Sequence, residues 1–150
     1  QYLHTGVYTP RPSVATIANA MDVGDPSNFA RILDLYGGSH DAICAEVSGV
    51  SYTDEQIRRT MSETFRNERY LLDPHGACGY QALVDGLQPG ETGICLETAH
   101  PAKFLETVES AIGGTISVPE KLQVFMRGEK QSILMTVGFN AFKHFLLNQQ

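Results

Sequence analysis

The sequence predicts an α/β fold in which helices alternate with short strands. Several stretches combine a helix-capping residue with apolar residues at helical spacing. Two short apolar segments, one ending at Thr98 and one in QSILMTV (131–137), have the length of strands and lie between helices. Because strands and helices alternate along the chain, packed layers of sheet and helix are expected.

The chain is expected to begin with an irregular lead-in. Residues 1–21 contain Pro10 and Pro12, which disfavour a helix, so this part is predicted to be extended or irregular. In DPSNFARILDLYGG, Asp25 is predicted to cap a helix that ends at Gly37. A second short helix is predicted in SHDAICAEV, residues 39–47.

The next predicted helix lies in TDEQIRRTMSETFRNERY. Thr53 and Gln56 form the pattern of a capping box at its start. Apolar residues fall four apart on one face, at Ile57, Met61 and Phe65. The other positions are mostly charged, which indicates a surface helix with a narrow apolar side.

A helix from Asp73 to about Gly86 is predicted to begin with very small side chains. Asp73 is the expected cap and Pro74 lies in the first turn. Residues 76–79 read Gly-Ala-Cys-Gly, and each glycine weakens a helix by up to ~1 kcal/mol. Such a run is tolerated where a sheet or a ligand approaches the backbone closely, and both alternatives stay open.

The last part of the chain is also expected to alternate between strands and helices. PGETGICLE reads as a strand that ends at Thr98, and PAKFLETVESAIGG as a helix. PEKLQVFM predicts a shorter helix, QSILMTV a strand, and FNAFKHFLL a closing helix.

Composition and charge exclude several classes of protein. The net charge is −6 and the 11 basic residues are scattered, so no basic stripe for a nucleic acid is present. No apolar run is long enough to span a membrane. The three cysteines have no CxxC spacing and the histidines no HExxH pattern, so neither a disulfide framework nor a metal site is expected. Such cysteine usage fits a reducing, cytoplasmic location.

The stretch ETAHPAKF holds the main chemical candidates, Thr98, His100 and Lys103. They lie where the predicted strand passes into a helix, which is where α/β proteins bind ligands. Lys103 in a first helical turn opposes the helix dipole, and such local conflicts are enriched at functional sites. The alternative is structural: Thr98 caps the helix, His100 bonds a backbone carbonyl, and Lys103 is solvated.

Three segments together resemble the C-terminal part of threonine synthase. They are AMDVGDPSNFARI, LLDPHGACGYQAL and CLETAHPAKF, in this order. The resemblance implies part of the three-layer large domain of a fold type II pyridoxal-phosphate enzyme. It implies the conversion of O-phospho-L-homoserine and water to L-threonine and phosphate. The chain opens QYLHTG without an initiator methionine, so residues 1–150 are expected to be one C-terminal fragment.

The resemblance also implies what this fragment lacks. The family binds the cofactor through a Schiff-base lysine in an S-x-K-D-like motif, and none of the four lysines here has that context. The Schiff-base lysine is therefore expected upstream, in an N-terminal remainder of the same chain. The fragment alone is expected to be inactive and to expose apolar surface, which self-association could cover.

By the same resemblance, Thr98 hydrogen-bonds the pyridine nitrogen of the cofactor. Further candidates for lining the pocket are His75, Gly76, His100, Lys103, Ser27 and Asn28. Two other functions stay open. One is a different fold type II pyridoxal-phosphate lyase, although TAHPAKF argues against it. The other is a non-enzymatic α/β binding module.

Overall fold

A computed structural model describes residues 1–148 of this protein. The chain divides into two compact units, Gln1–Ser117 and Val118–Gln150.

Four short helical segments form the first part of unit one. They are α1 (Tyr2–Thr5), a 3-10 turn at Asn19–Met21, α2 (Phe29–Leu35) and α3 (His40–Glu46). The prediction of an irregular lead-in over residues 1–21 thus missed two short helical turns. The prolines do lie outside both of them.

The predicted cap of α2 is wrong. The helix begins three residues after Pro26, at Phe29, and Asn28 precedes it without a side-chain capping bond. The carboxylate of Asp25 instead accepts a hydrogen bond from the Tyr8 hydroxyl at 2.9 Å. The Tyr8 ring stacks on Phe29 with centroids 4.5 Å apart, so a tertiary contact takes the carboxylate away from the helix.

Helix α4 (Asp54–Glu68) begins with the predicted capping box. The Thr53 hydroxyl accepts a hydrogen bond from Gln56 N–H at 3.3 Å, and Gln56 Oε1 accepts one from Thr53 N–H at 2.8 Å. Two backbone donors that the helix leaves unpaired are thereby satisfied.

Replacing Thr53 with alanine should lower the free energy of unfolding by about 1 kcal/mol, because the capping hydroxyl is lost. Urea denaturation followed by circular dichroism measures this change. The matched control is Thr53→Ser, which keeps the hydroxyl and should stay close to the parent. Equal stability of the alanine and serine variants would contradict the capping role.

Helices α5 (Pro74–Gly86) and α6 (Leu105–Ile112) pack against α4 and complete the core of unit one. A 3-10 turn at Pro101–Phe104 precedes α6, where the sequence predicted continuous helix. The buried apolar members of the core are Ala18, Ile57, Met61, Leu72, Ala77 and Val108. The predicted inward positions of α6 agree, since Val108 is fully buried and Ala111 packs against the cluster.

The predicted strands are not confirmed: residues 1–148 contain no strand. GICL and the residues around it, 92–98, make no backbone-to-backbone hydrogen bond to any described residue. QSILMTV likewise lies outside the helices. A strand is defined by pairing with a neighbour, so a segment of strand-like sequence without a partner strand is not one.

Unit two consists of two helices, α7 (Glu120–Arg127) and α8 (Phe139–Leu147). Both were predicted from the sequence. Neither helix contains a buried residue. None of the helices in the described part of the chain has the length and apolar character needed to cross a membrane.

Candidate functional site

The segment at residues 92–98 runs along one side of α5, in the opposite direction. Neighbouring positions are Gly76 with Glu97, Gly79 with Cys95, and Leu83 with Gly93. A Cβ atom on Gly79 would lie 3.4 Å from the sulfur of Cys95, and one on Gly76 would collide with the Glu97 carboxyl group. Gly76 is therefore the glycine of α5 that gives the Glu97 side chain its place, whereas a Cβ at Gly79 would make only an ordinary contact.

Side chains of this segment alternate between two environments. Gly93, Cys95 and Glu97 face α5, whereas Ile94 and Leu96 are 84% and 78% exposed. A period of two is the pattern of a β-strand. The segment thus has the side-chain pattern of a strand and lacks only a paired neighbour among the described residues.

Asp73 lies at the centre of a buried polar cluster. Its side chain has no exposed area, and its Oδ1 accepts the His75 backbone N–H at 2.8 Å. The same oxygen lies 2.6 Å from His75 Nδ1. The other ring nitrogen, Nε2, accepts the Ala20 N–H at 3.1 Å. This network assigns His75 as the neutral tautomer with its proton on Nδ1.

The carboxyl group of Glu97 completes the cluster. Glu97 Oε1 and Asp73 Oδ2 are both buried and have no hydrogen-bond partner among the described residues. Burial, and then the charge of the neighbouring Asp73 carboxylate, raise the pKa of Glu97 to about 7. A carboxyl group with that pKa carries its proton through much of the neutral range, unlike an ordinary glutamic acid.

Thr98 follows this cluster directly. Its side chain is exposed, and no hydrogen bond to its hydroxyl occurs within residues 1–148. The helical turn that comes next is capped by His100, whose Nδ1 accepts the Ala102 N–H at 3.1 Å. The alternative in which Thr98 is the cap is therefore wrong. Lys103 is exposed, as the structural alternative expected.

The fold brings His75 and Gly76 to the TAHPAKF segment. The rings of His75 and Phe104 lie 4.7 Å apart, and Gly76 contacts Glu97. Ser27 and Asn28 are exposed at the start of α2, and no hydrogen bond among the described residues connects them to this cluster. Ligand binding by any of these residues stays a prediction.

Sequence reasoning missed the pairing of Asp73 with Glu97. Asp73 was interpreted only as a helix cap, and Glu97 only as the end of a strand. The available signal was the glycine at position 76, which allows a large side chain to approach the first turn of α5. The described residues contain no group of three His, Cys, Asp or Glu side chains that could hold a metal ion.

Comparisons with known proteins point to one family. Residues 76–146 match the model of the threonine synthase C-terminal region. Threonine synthase of Escherichia coli is 36% identical over 150 residues, which are 100% of this chain and 35% of that protein. The Haemophilus influenzae threonine synthase is 41% identical over 122 residues, 81% of this chain and 28% of its own length.

Solved structures agree with the sequence comparisons. The crystal structure of the Escherichia coli threonine synthase matches with a TM-score of 0.83 and 36% identity, over 99% of this chain and 34% of that one. A pyridoxal-phosphate-bound threonine synthase from Brucella melitensis matches with a TM-score of 0.69 at 22% identity, which supports the fold alone. This chain spans about a third of the length of these relatives. In sequence and in structure it is similar to the C-terminal part of threonine synthases, and residues 76–146 match the model of that region.

Proposed function

We propose that this chain is the C-terminal part of a pyridoxal-phosphate-dependent threonine synthase. The whole protein converts O-phospho-L-homoserine and water to L-threonine and phosphate. One observation carries the proposal: similarity to the Escherichia coli enzyme extends over the full chain in sequence and over 99% of it in structure. Three free thiols support a cytoplasmic location as part of the same proposal.

The residues around Thr98 fit a cofactor of this kind. Bound pyridoxal phosphate supplies an electron sink that stabilises negative charge on the substrate carbon atoms. The exposed Thr98 hydroxyl can donate a hydrogen bond to its ring nitrogen, and no described residue competes for that hydroxyl. A hydroxyl group does not force protonation of that nitrogen as a carboxylate would, so Thr98 moderates the electron sink.

The surface of the chain supports a covering partner. Its accessible area is 11790 Å², whereas a folded monomer of this mass exposes about 7,500 Å². Exposed apolar side chains include Ile94 and Leu96, next to Thr98. We propose that the N-terminal remainder of the protein covers this surface and supplies the lysine that binds the cofactor. Self-association would be the alternative way to cover it.

Borohydride reduction in the presence of pyridoxal phosphate, followed by mass mapping, tests whether the cofactor-binding lysine lies outside this chain. In the intact protein the label should appear on one lysine outside residues 1–150. The 150-residue chain by itself should stay unlabelled at Lys103, Lys121, Lys130 and Lys143. Full labelling of one of these four lysines would contradict the proposal, and a protein that binds no cofactor would favour a non-enzymatic module.

Replacing Thr98 with alanine should lower kcat/KM for threonine formation by about 10-fold, as expected from the loss of one hydrogen bond of ~1.4 kcal/mol. Phosphate release measures the rate. Thr98→Ser should keep most of the activity because it keeps the hydroxyl. Ser110→Ala, which removes an exposed hydroxyl from α6, is the control for non-specific effects. Unchanged activity of Thr98→Ala would remove Thr98 from the site.

A different fold type II lyase is the second candidate. Assaying the intact protein with O-phospho-L-homoserine beside other hydroxy and phospho amino acids separates the two. Threonine should form only from O-phospho-L-homoserine. Preference for another substrate would favour the second candidate.

A further inference from the structure

The carboxyl groups of Asp73 and Glu97 are neighbours at the start of α5. Asp73 Oδ2 and Glu97 Oε1 are both buried, and neither receives a hydrogen bond from the described residues. No Lys or Arg of residues 1–148 forms an ion pair with either carboxyl group, so no such cation offsets their negative charge. Two ionised carboxylates in this position would repel one another in a poorly solvated site.

The rest of the network decides which group is ionised. Asp73 Oδ1 accepts two hydrogen bonds, from His75 N–H at 2.8 Å and from the Nδ1 of His75 at 2.6 Å. Asp73 also caps α5, where the helix dipole favours negative charge. Glu97 has neither advantage, so the negative charge belongs on Asp73 and the proton on Glu97.

We propose that Asp73 and Glu97 share one proton, and that this carboxyl pair is a positioning element that holds the segment carrying Thr98 against the first turn of α5. A Glu97 O–H that donates to Asp73 Oδ2 satisfies both buried oxygens at once. Gly76 provides the space for it, because a side chain at that position would occupy the place of the Glu97 carboxyl group. Thr98 is the next residue, so its backbone follows Glu97.

The other titratable groups near the pair do not supply a counter-charge. These groups are His75 and Cys78 on α5, Cys95 in residues 92–98, and Asp54 at the start of α4. Burial, and then the charges of Asp73 and Asp54, raise the pKa of Cys78. Burial, and then the charge of Glu97, raise the pKa of Cys95. Both thiols are therefore neutral where Glu97 titrates, and Asp54 only adds negative charge.

The sign of the pH dependence follows from the raised pKa of Glu97. In the unfolded chain Glu97 titrates near 4.5, and in the folded protein near 7. The contribution of the pair to stability is complete below about 4.5 and is lost as the pH rises through about 7. Above that pH the two charges repel, and the attachment of residues 92–98 to α5 weakens.

Carboxyl NMR of the intact protein tests the shared proton. With 13C in the glutamate carboxyl groups, one resonance should titrate near pH 7, and Glu97→Gln should remove that resonance. Asp73→Asn should return its midpoint toward 4.5, because the amide keeps an acceptor for His75 and offers Glu97 an N–H donor. A Glu97 resonance that titrates near 4.5 in the parent protein would overturn the proposal.

The amide resonance of Thr98 tests the positioning role. It should shift with the same midpoint as the Glu97 carboxyl group, while the amide of Ser110 on α6 should not. In Glu97→Gln, whose side-chain N–H can donate to Asp73 at every pH, the Thr98 amide should keep its low-pH position throughout. If Glu97 titrates near 7 and the Thr98 amide stays unchanged, the pair shares a proton without positioning Thr98, and the proposal fails.

The proposed function enters only in giving Thr98 its role toward the cofactor. Neither NMR measurement depends on activity. A protein that binds no pyridoxal phosphate but shows both titrations would overturn the proposed function and leave the carboxyl pair standing. A labelled lysine outside residues 1–150, together with an ordinary Glu97 titration, would do the reverse.

Discussion

Replacing Gly76 with alanine is expected to displace the Glu97 carboxyl group and to lower the free energy of unfolding by about 1–3 kcal/mol, the cost of leaving the buried Asp73 Oδ2 without a partner. In a helix, glycine to alanine normally stabilises by up to ~1 kcal/mol, so the sign is opposite to the usual one. The reason is that the new methyl group would occupy the place of the Glu97 carboxyl group. Urea denaturation followed by circular dichroism measures the change.

Two other glycines of α5 provide matched controls. A Cβ on Gly79 would lie at an ordinary 3.4 Å from Cys95 Sγ, and one on Gly86 would meet no atom within 4 Å. Gly79→Ala should therefore be close to neutral, and Gly86→Ala neutral or slightly stabilising. If Gly76→Ala behaved like Gly86→Ala, the close approach of Glu97 to α5 would be wrong.

Replacing Met61 with alanine should cost about 2–5 kcal/mol, the range for large apolar side chains in a core. Met61 is 1% exposed and belongs to the cluster where α4 packs against α5 and α6. The loss combines the transfer of its side chain from water with the cavity that remains. The same denaturation experiment reports it.

Met126 on α7 provides the control, because the same methionine-to-alanine substitution can be made there at an exposed position. It is 54% exposed, so Met126→Ala should change the stability by no more than about 0.5 kcal/mol. A loss of similar size for both variants would contradict the placement of Met61 in the core of unit one.

The helices could be predicted where the chain carries its own start signal. Thr53 with Gln56, and Asp73 with Pro74, fix the beginnings of α4 and α5 through contacts within four residues. Asp25 failed as a cap because its carboxylate bonds Tyr8, 17 residues away. The strands failed for a related reason, since a strand needs a partner that local sequence does not contain.

Only part of the candidate site could be predicted from the sequence. Thr98 and the TAHPAKF segment could be singled out from the sequence motif, and the role of Thr98 toward a cofactor stays a prediction. The carboxyl pair could not be predicted from the motif. Asp73 and Glu97 are 24 positions apart in the sequence and come together only because residues 92–98 lie on α5. Each residue taken alone has an ordinary explanation, Asp73 as a helix cap and Glu97 as the end of a strand.

The segment at residues 92–98 also bears on how this protein is kept from aggregating. Its backbone has no pairing partner within residues 1–148, and Ile94 and Leu96 are exposed; such an edge is the kind on which identical chains stack into β-rich aggregates. Pro89, Glu91 and Pro101 flank the segment, and prolines and charges at such places limit the growth of a strand into its neighbours. Any truncation or slow folding step that leaves this edge uncovered should therefore reduce the yield of soluble protein before it alters the chemistry of the site.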